Sequence, residues 1–362
     1  MQIVLQQEHI RKEKRKVYQL LHSGIPVFIF GTTYKFELEQ TIRGLEEKAI
    51  NIEGIIDDFT EKKEVNGLRV FRLNDISKDS MVISTVTQNK LWVVLELLEQ
   101  KGFSNKLTYW DLCLMEPKTF KLPPFFENNE PDITENQDKY VLLYNSLYDL
   151  ESRNILENLI DFRLNLNIDS LKPFKRICTN QYFEEFIPYD KIDSFVDCGG
   201  YQGETTIDFI KRVPNYKKVY YFEPSFKNMM ISKENLSIYT NIKYFMAGTY
   251  SDNTVLKFNS DEGSSSAITN EGTNEIEVLK LDDVITDENL FIKMDIEGAE
   301  LDSLIGAKNI IVEKKPVLAI CVYHDQRHFW KIPEFIKGIR EDYKIYIRHY
   351  SGGNFETVMY FI

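Results

Sequence analysis

Acidic or small residues end four apolar runs in the C-terminal half of this 362-residue chain. Carboxylates accept hydrogen bonds from hydroxyl and ammonium groups, and small residues leave room for a flat ring. In chain order, the runs and these residues are 195–198 with Asp197, 218–222 with Glu223, 242–246 with Ala247 and Gly248, and 290–294 with Asp295. Because the carboxyl ends of parallel strands meet at one edge of a sheet, we expect these residues to share one binding crevice.

A glycine-rich turn follows the first of these runs, with Gly199, Gly200 and Gly203 in the pattern D-x-G-G-x-x-G. Such glycines let the backbone approach a ligand closely, and Glu223, about 20 residues further on, is placed to accept hydrogen bonds from two ribose hydroxyls. Both features also fit a nicotinamide dinucleotide. The G-x-G-x-x-G pattern is missing, however, and Asp197 would face the cationic methionine end of S-adenosylmethionine better than an anionic pyrophosphate. The residues favour S-adenosylmethionine and methyl transfer, and a nicotinamide enzyme stays the alternative.

His324 follows a fifth apolar run, 317–322, and is the predicted general base in the form of a neutral imidazole, with Asp295 as the second catalytic residue. A purely structural histidine is the alternative for His324. His324 and His328 are four residues apart with Asp325 between them, which suits a metal only if the segment is helical. Since the spacing indicates no third ligand, no metal site is predicted.

Three residues near this point are predicted substrate contacts, namely Glu297, Tyr323 and Ser265. Glu297 and Glu300 fit equally well as acids in the first turn of the following helix, where they would complement the helix dipole. Ser265 lies in a serine-rich segment after Gly263, which is either a plain loop or a turn over the ligand.

Residues 191–362 resemble the FkbM-type methyltransferases. The resemblance rests on Val196-Asp-x-Gly-Gly-x-x-Gly203, Phe222-Glu-Pro224, Leu281-Asp-Asp-Val284 and above all Ile292-Lys-Met-Asp-Ile-Glu-Gly-Ala-Glu300. It implies a class I fold, a doubly wound sheet of seven strands with the last one antiparallel, and 344–348 and 357–361 fit its final hairpin. It also implies O-methylation of a hydroxyl on a sugar, glycan precursor or secondary metabolite. A nucleotide-sugar-modifying enzyme or a non-catalytic glycan-binding protein of the same fold remains an alternative.

The N-terminal part alternates strand and helix patterns, with strands at 26–30, 52–56 and 81–84 and helices at 36–48 and 91–101. This part resembles, on Gly31, Asp57, Asp58 and Gly102-Phe103, the Rossmann-like domain at the N-terminus of sugar O-acyltransferases. A structural role and a ligand-binding role both stay open for it. The predicted fold class is therefore α/β throughout, with a small Rossmann-like domain at 1–116, a linker and helical segment at 117–190, and the methyltransferase domain at 191–362.

A formal charge of −12 disfavours a nucleic-acid partner. We expect a small-molecule or sugar acceptor and no membrane insertion, and a homo-oligomer is compatible with the sequence. The N-terminus lacks the pattern of a secretory signal, so a cytoplasmic location is expected. Cys113, Cys178, Cys198 and Cys321 stand far apart and are predicted to be buried thiols.

Overall fold

The computed structural model describes residues 1, 3–174, 180–258 and 274–362. The chain forms two compact units, each made of several segments. Unit 1 comprises Met1–Gln137, Ile155–Arg176 and Tyr350–Phe355, and unit 2 comprises Asp138–Asn154, Ile177–His349 and Glu356–Ile362. The three consecutive segments predicted from the sequence therefore do not coincide with the units, because two later stretches of chain belong to unit 1.

Unit 1 is built on a six-stranded sheet in the order β3-β4-β2-β1-β5-β6, in which only β3 is antiparallel to its neighbour. Its strands are β1 Val27–Phe30, β2 Ile52–Ile56, β3 Glu64–Val65, β4 Leu68–Phe71, β5 Met81–Ser84 and β6 Lys106–Thr108. Its helices are α1 Gln7–Gln19, α2 Lys35–Glu47, α3 Leu91–Gln100, α4 Tyr109–Met115 and α5 Asn129–Glu135. All residues of β1 and β5 are buried, as short apolar runs between helices require. The three predicted strands and two predicted helices are confirmed.

The predicted linker and helical segment, 117–190, contains α5, which is followed closely by α6 Gln137–Ser146 and α7 Leu150–Asn165. Pro131 lies in the first turn of α5, where a missing backbone N–H costs no hydrogen bond. A proline at such a position does not interrupt a helix, so α5 begins within the proline-rich part of this segment.

Unit 2 contains a seven-stranded sheet in the order β15-β16-β14-β13-β7-β8-β9. Its strands are β7 Ser194–Cys198, β8 Lys218–Phe222, β9 Ile242–Phe245, β13 Leu290–Met294, β14 Val317–Cys321, β15 Ile345–His349 and β16 Thr357–Phe361. Its helices after α7 are α8 Glu204–Arg212, α9 Phe226–Asn235, α10 Leu281–Val284, α11 Glu300–Ile305, α12 Lys308–Lys314 and α13 His328–Ile339. The strand β16 pairs antiparallel with both β14 and β15, whereas the other pairs are parallel, as predicted for a class I fold.

The strand order reverses between β7 and β13, because the chain first runs outward to β9 and then returns to β13 on the other side of β7. Ligands of doubly wound sheets bind outside the carboxyl ends of the strands at such a switch point. All residues of β7 and β13 are buried, and Phe195 stacks on Phe209 of α8 with the ring centroids 4.5 Å apart. The rigid centre of unit 2 thus lies directly under the predicted crevice.

A second sheet of unit 2 has the order β10-β12-β11, formed by β10 Gly248–Thr249, β11 Thr254–Phe258 and β12 Asn274–Leu279. The sequence analysis did not predict this sheet. Within the described residues, no helix has the length and apolar character needed to cross a membrane. Cys113, Cys198 and Cys321 are buried and free, as predicted, and Cys178 lies outside the described residues.

Candidate functional site

The turn after β7 has the backbone geometry that only glycine adopts easily. Gly199 and Gly203 have φ angles of +79° and +96°, and Gly203 directly precedes α8. A Cβ at Gly199 would overlap the carbonyl oxygen of Asp295, and one at Gly200 would overlap the ring of Tyr221. The glycines therefore bring the ends of β7, β8 and β13 close together at the switch point.

Asp197 does not face the crevice, which corrects the sequence-based prediction for this residue. Its carboxylate is fully buried, with Oδ1 3.1 Å from Lys293 Nζ and Oδ2 accepting a hydrogen bond of 2.7 Å from the Thr206 hydroxyl. Lys293 stands directly opposite Asp197 because β7 and β13 are paired in that register. Lys293 Nζ also donates to the carbonyl oxygen of Gly199 at 2.6 Å. Asp197 thus holds the glycine turn through Lys293 instead of offering its charge to a ligand.

Glu223 lies where the sequence predicts, at the carboxyl end of β8 beside the glycine turn. Its two carboxylate oxygens accept hydrogen bonds from the backbone N–H of Tyr201 at 3.0 Å and of Ser225 at 2.8 Å. Only 6% of the residue is exposed, and this burial raises the pKa of its carboxyl group, although the two backbone hydrogen bonds oppose the rise. These contacts fix the side chain in place beside the glycine turn.

Two predicted cofactor contacts, Ala247 and Gly248, lie between β9 and the start of β10. Ala247 is buried, and a Cβ on Gly248 would lie 3.2 Å from Cγ1 of Val278 in β12. Packing between β10 and β12 is therefore one reason for a small residue at 248. The predicted substrate contact Ser265 lies outside the described residues.

Asp295 is the centre of a group of polar side chains at the carboxyl ends of β13 and β14. Its Oδ2 accepts a hydrogen bond of 2.7 Å from the Tyr182 hydroxyl, and its Oδ1 accepts one of 3.1 Å from the Tyr323 hydroxyl. Burial, and then the charge of Asp295, raises the pKa of both tyrosines well above its usual value, so both remain donors. Tyr182 had no predicted role, because it comes from the segment 117–190, where no sequence motif for catalysis or binding was recognised.

His324 stands beside Asp295 and is held from its other side by Glu300. His324 Nδ1 lies 2.7 Å from Glu300 Oε1, and His324 Nε2 lies 3.4 Å from both Asp295 Oδ1 and Glu297 Oε2. Burial alone would lower the pKa of His324, but the charge of Glu300 and the two other carboxylates raises it to about 9. The three carboxylates thus favour positive charge at this position, and the role of His324 as general base stays a prediction.

Glu300 has a more specific position than that of a first-turn acid. It begins α11, is fully buried, and its Oε1 also accepts a hydrogen bond of 3.0 Å from the backbone N–H of Ile296. Its Oε2 lies 3.2 Å from Nδ1 of His328. Burial by itself raises the pKa of Glu300, but His324 and His328 hold the pKa well below its usual value. Both histidines thus face Glu300, whereas Asp325 binds Arg327, so these three residues do not converge on one metal position.

Glu297 lies in the tight turn between β13 and α11. Its backbone has a φ of 55°, a strained conformation for a residue other than glycine. Burial raises the pKa of its carboxyl group to about 7, while His324 opposes the rise. We name the group of Asp295, Glu297, Glu300 and His324 the acidic histidine cluster. Lys293, which sequence analysis left without a role, could have been recognised as the single charge in the apolar strand β13.

Comparison with known proteins agrees with this architecture. Residues 197–347 match the model of the methyltransferase FkbM domain. The solved structure of a methyltransferase FkbM from Methylobacillus flagellatus KT aligns with 99% of this chain and 100% of its own, at 22% identity and a TM-score of 0.74. No curated protein matches the chain.

Two further solved structures align over about half of the chain only. They are a precorrin-6y C5,15-methyltransferase from Geobacter metallireducens GS-15 and the Aeropyrum pernix fibrillarin with bound S-adenosyl-L-methionine. The first has 15% identity and a TM-score of 0.30, covering 47% of this chain and 78% of its own. The second has 10% identity and a TM-score of 0.32, covering 52% and 72%. TM-scores this low support no conclusion about this protein.

The sheet order, the antiparallel strand β16 and the glycine turn at the switch point define unit 2 as a class I methyltransferase fold. Residues 197–347 match, more specifically, the methyltransferase FkbM domain. The predicted family and fold class are confirmed. The likeness of unit 1 to the N-terminal domain of sugar O-acyltransferases stays a prediction.

Proposed function

We propose that the protein is an S-adenosylmethionine-dependent O-methyltransferase that acts on a hydroxyl of a sugar, glycan precursor or secondary metabolite. One observation carries the proposal. The fixed carboxylate of Glu223 and the glycine turn stand at the ends of β8 and β7, and the acidic histidine cluster stands at the ends of the next two strands, β13 and β14. A cofactor site and a proton-accepting site are thus neighbours at the switch point.

Glu223 is the proposed ligand of the two ribose hydroxyls, and the turn at 199–203 lets the backbone approach the cofactor. Ala247 and Gly248 are proposed to border the adenine ring. Asp197 and Lys293 contribute as positioning residues, because Lys293 fixes the carbonyl oxygen of Gly199. The cofactor supplies a methyl group on a positively charged sulfur, and the negative charge of Asp295 favours this cation at the end of β13.

Methyl transfer joins the acceptor oxygen to the methyl carbon while the bond from that carbon to sulfur breaks, so the hydroxyl must lose its proton. We propose that the acceptor hydroxyl is held by the acidic histidine cluster, which receives that proton. Asp295 and His324 are the proposed catalytic residues, and Glu297 and Tyr323 are the proposed substrate contacts. The tyrosine hydroxyls that bind Asp295 fix its carboxylate plane and so align it with the acceptor.

Replacing Glu223 by glutamine tests the cofactor site. Charge-assisted hydrogen bonds are worth about 1.5 to 3 kcal/mol each, so E223Q should weaken binding of S-adenosylmethionine by roughly 10- to 150-fold. Isothermal titration calorimetry measures the affinity, and thermal unfolding without ligand verifies that the variant is folded.

The matched control is E234Q, because Glu234 is an exposed acid on α9. The E234Q variant should bind S-adenosylmethionine as tightly as the wild type does. Equal affinity for E223Q and E234Q would refute the ribose contact. A wild-type protein that binds NAD but not S-adenosylmethionine would refute the proposed function, and one that binds neither would favour a non-catalytic role.

A further inference from the structure

We infer that the acidic histidine cluster binds a divalent metal cation through three atoms: Nε2 of His324, Oδ1 of Asp295 and Oε2 of Glu297. The sequence analysis predicted no metal site, because spacing alone indicated too few ligands. The role of the cation rests on the proposed function, since the cation would bind the acceptor oxygen. Binding of the cation to the protein does not depend on that function and can be measured separately.

The distances from His324 Nε2 to the two carboxylate oxygens suit one bound ion. Nε2 of His324 lies 3.4 Å from the Asp295 oxygen and 3.4 Å from the Glu297 oxygen. Ligand atoms about 2.1 Å from an ion are roughly 3.0 Å apart in octahedral and roughly 3.4 Å apart in tetrahedral coordination. Each of the two carboxylate oxygens is thus at a distance from Nε2 that a shared ion permits.

The state of Nε2 is the second observation that points to a ligand. The His324 side chain is 7% exposed, and Nε2 is buried and makes no hydrogen bond. Buried polar nitrogens nearly always have a partner, so a buried ring nitrogen that is directed between two carboxylates indicates a missing ligand. A cation at this point would give Nε2 its partner.

Glu300 supplies the feature that usually accompanies a metal-binding histidine. Metal-ligating histidines almost always donate their other ring N–H to a carboxylate or a carbonyl group, which fixes the ring and its tautomer. His324 Nδ1 has this partner in Glu300 Oε1, 2.7 Å away, and the backbone N–H of Ile296 holds the same oxygen. Ligand atoms of Asp295, Glu300 and His324 all lie within 4.8 Å of one another. We assign Glu300 to the support of His324, because its Oε1 contacts Nδ1 and not the ligating nitrogen Nε2.

Charge points in the same direction. Asp295, Glu297 and Glu300 bring three carboxylates around one imidazole, and carboxylates that leave water require compensating positive charge. The side chains that donate hydrogen bonds to Asp295 are the uncharged hydroxyls of Tyr182 and Tyr323, and Lys293, whose charge also acts on Asp295, is already paired with Asp197. A divalent ion bound here would balance two of these charges.

Two carboxylate oxygens and one imidazole nitrogen suit Mn²⁺ or Mg²⁺, with the remaining positions open to water or to the acceptor. An acceptor hydroxyl bound to the cation loses its proton more readily than a free one. His324 would then act as a neutral ligand through the lone pair of Nε2 instead of as the base, and the acceptor proton would pass to water at one of the remaining positions.

Titration of Mn²⁺ into EDTA-treated, dialysed protein tests the site, with calorimetry and the electron paramagnetic resonance spectrum of Mn²⁺ as readouts that need no activity. The wild type should bind one ion, and E297Q and D295N should each bind it at least about tenfold more weakly. E300Q should bind Mn²⁺ roughly 10- to 100-fold more weakly, because it no longer supports His324 with a charged carboxylate. The control D208N, an exposed acid of α8, should bind like the wild type.

Glu297 is the decisive position, because its side chain is partly exposed and E297Q should fold normally. Failure of the folded wild type to bind Mn²⁺ at millimolar concentration would overturn the inference, and so would equal affinity in E297Q and D208N. Binding of S-adenosylmethionine in EDTA is measured alongside. Cofactor binding without Mn²⁺ binding would leave the proposed function intact, whereas Mn²⁺ binding without cofactor binding would refute only the proposed function.

Discussion

Asp197 and Lys293 form a buried ion pair between the two central strands of unit 2. Their side chains are 0% and 3% exposed, and Lys293 also binds the carbonyl oxygen of Gly199. Burial alone lowers the pKa of Lys293, but Asp197 and Asp295 outweigh burial, so the amine stays charged. The pair couples the core of the sheet to the turn that borders the candidate cofactor site.

Removal of the lysine charge should destabilise the protein strongly. K293M leaves Asp197 as a buried carboxylate without a counter-charge, and breaking a buried pair in this way costs about 3 to 5 kcal/mol. Urea unfolding at pH 7 measures the loss. The double variant D197N/K293M should recover more than half of it, since no unpaired charge remains.

Lys218 offers a matched control in the neighbouring strand β8. Its ion pair with Asp287 is 39% exposed at the lysine, so K218M should change the unfolding free energy by less than about 1 kcal/mol. Equal losses in K218M and K293M would contradict the role assigned to the buried pair.

At the scale of elements, the strands that sequence analysis predicted are those that form short apolar runs. The predicted strands at 52–56, 81–84 and 290–294 have the same bounds as β2, β5 and β13. The short strands β3 and β10 were missed, because two residues carry no periodic signal. The role of Asp197 was misjudged for a related reason, since its partner depends on the register between β7 and β13.

The turn between β7 and α8 should tolerate no side chain at position 199. G199A should lower the unfolding free energy by about 2 to 4 kcal/mol, because alanine is strained at a left-handed φ and its Cβ overlaps the Asp295 carbonyl oxygen. It should also weaken binding of S-adenosylmethionine. Chemical unfolding and calorimetry provide the two measurements.

The control substitution is the same change in a helix. Gly338 lies in α13, and a Cβ there would meet nothing within 4 Å. G338A should therefore raise the unfolding free energy by roughly 0.5 to 1 kcal/mol, because alanine favours the helix. A destabilised G338A, or a G199A as stable as the wild type, would contradict the assignment of strain to the turn.

At the scale of the whole molecule, sequence analysis predicted two α/β parts but not how the chain is shared between them. Ile155–Arg176 and Tyr350–Phe355 belong to unit 1, although unit 2 contains the chain on either side of each. Arg163 illustrates why, since its guanidinium donates to Oδ1 of Asn354, 191 residues away. Such long-range contacts leave no local pattern, because each residue alone fits a helix or a loop equally well.

The two units should respond differently to S-adenosylmethionine. In unit 1 the Asp57 carboxylate already accepts hydrogen bonds from Thr32 and from the backbone N–H of Phe59 and Thr60, so it has little capacity left to accept a hydrogen bond from a ligand.

In unit 2 the crevice borders the segments 198–203, 223–225 and 294–298. Hydrogen exchange measured at a hundredfold excess over Kd, which stabilises the bound state by about 2.7 kcal/mol, should show protection of these segments and none of 30–33 or 57–60. UDP-glucose, added separately, should protect neither set. Protection of 30–33 by the nucleotide-sugar would instead give unit 1 a ligand-binding role, and protection of unit 1 alone by S-adenosylmethionine would move the cofactor site away from the switch point.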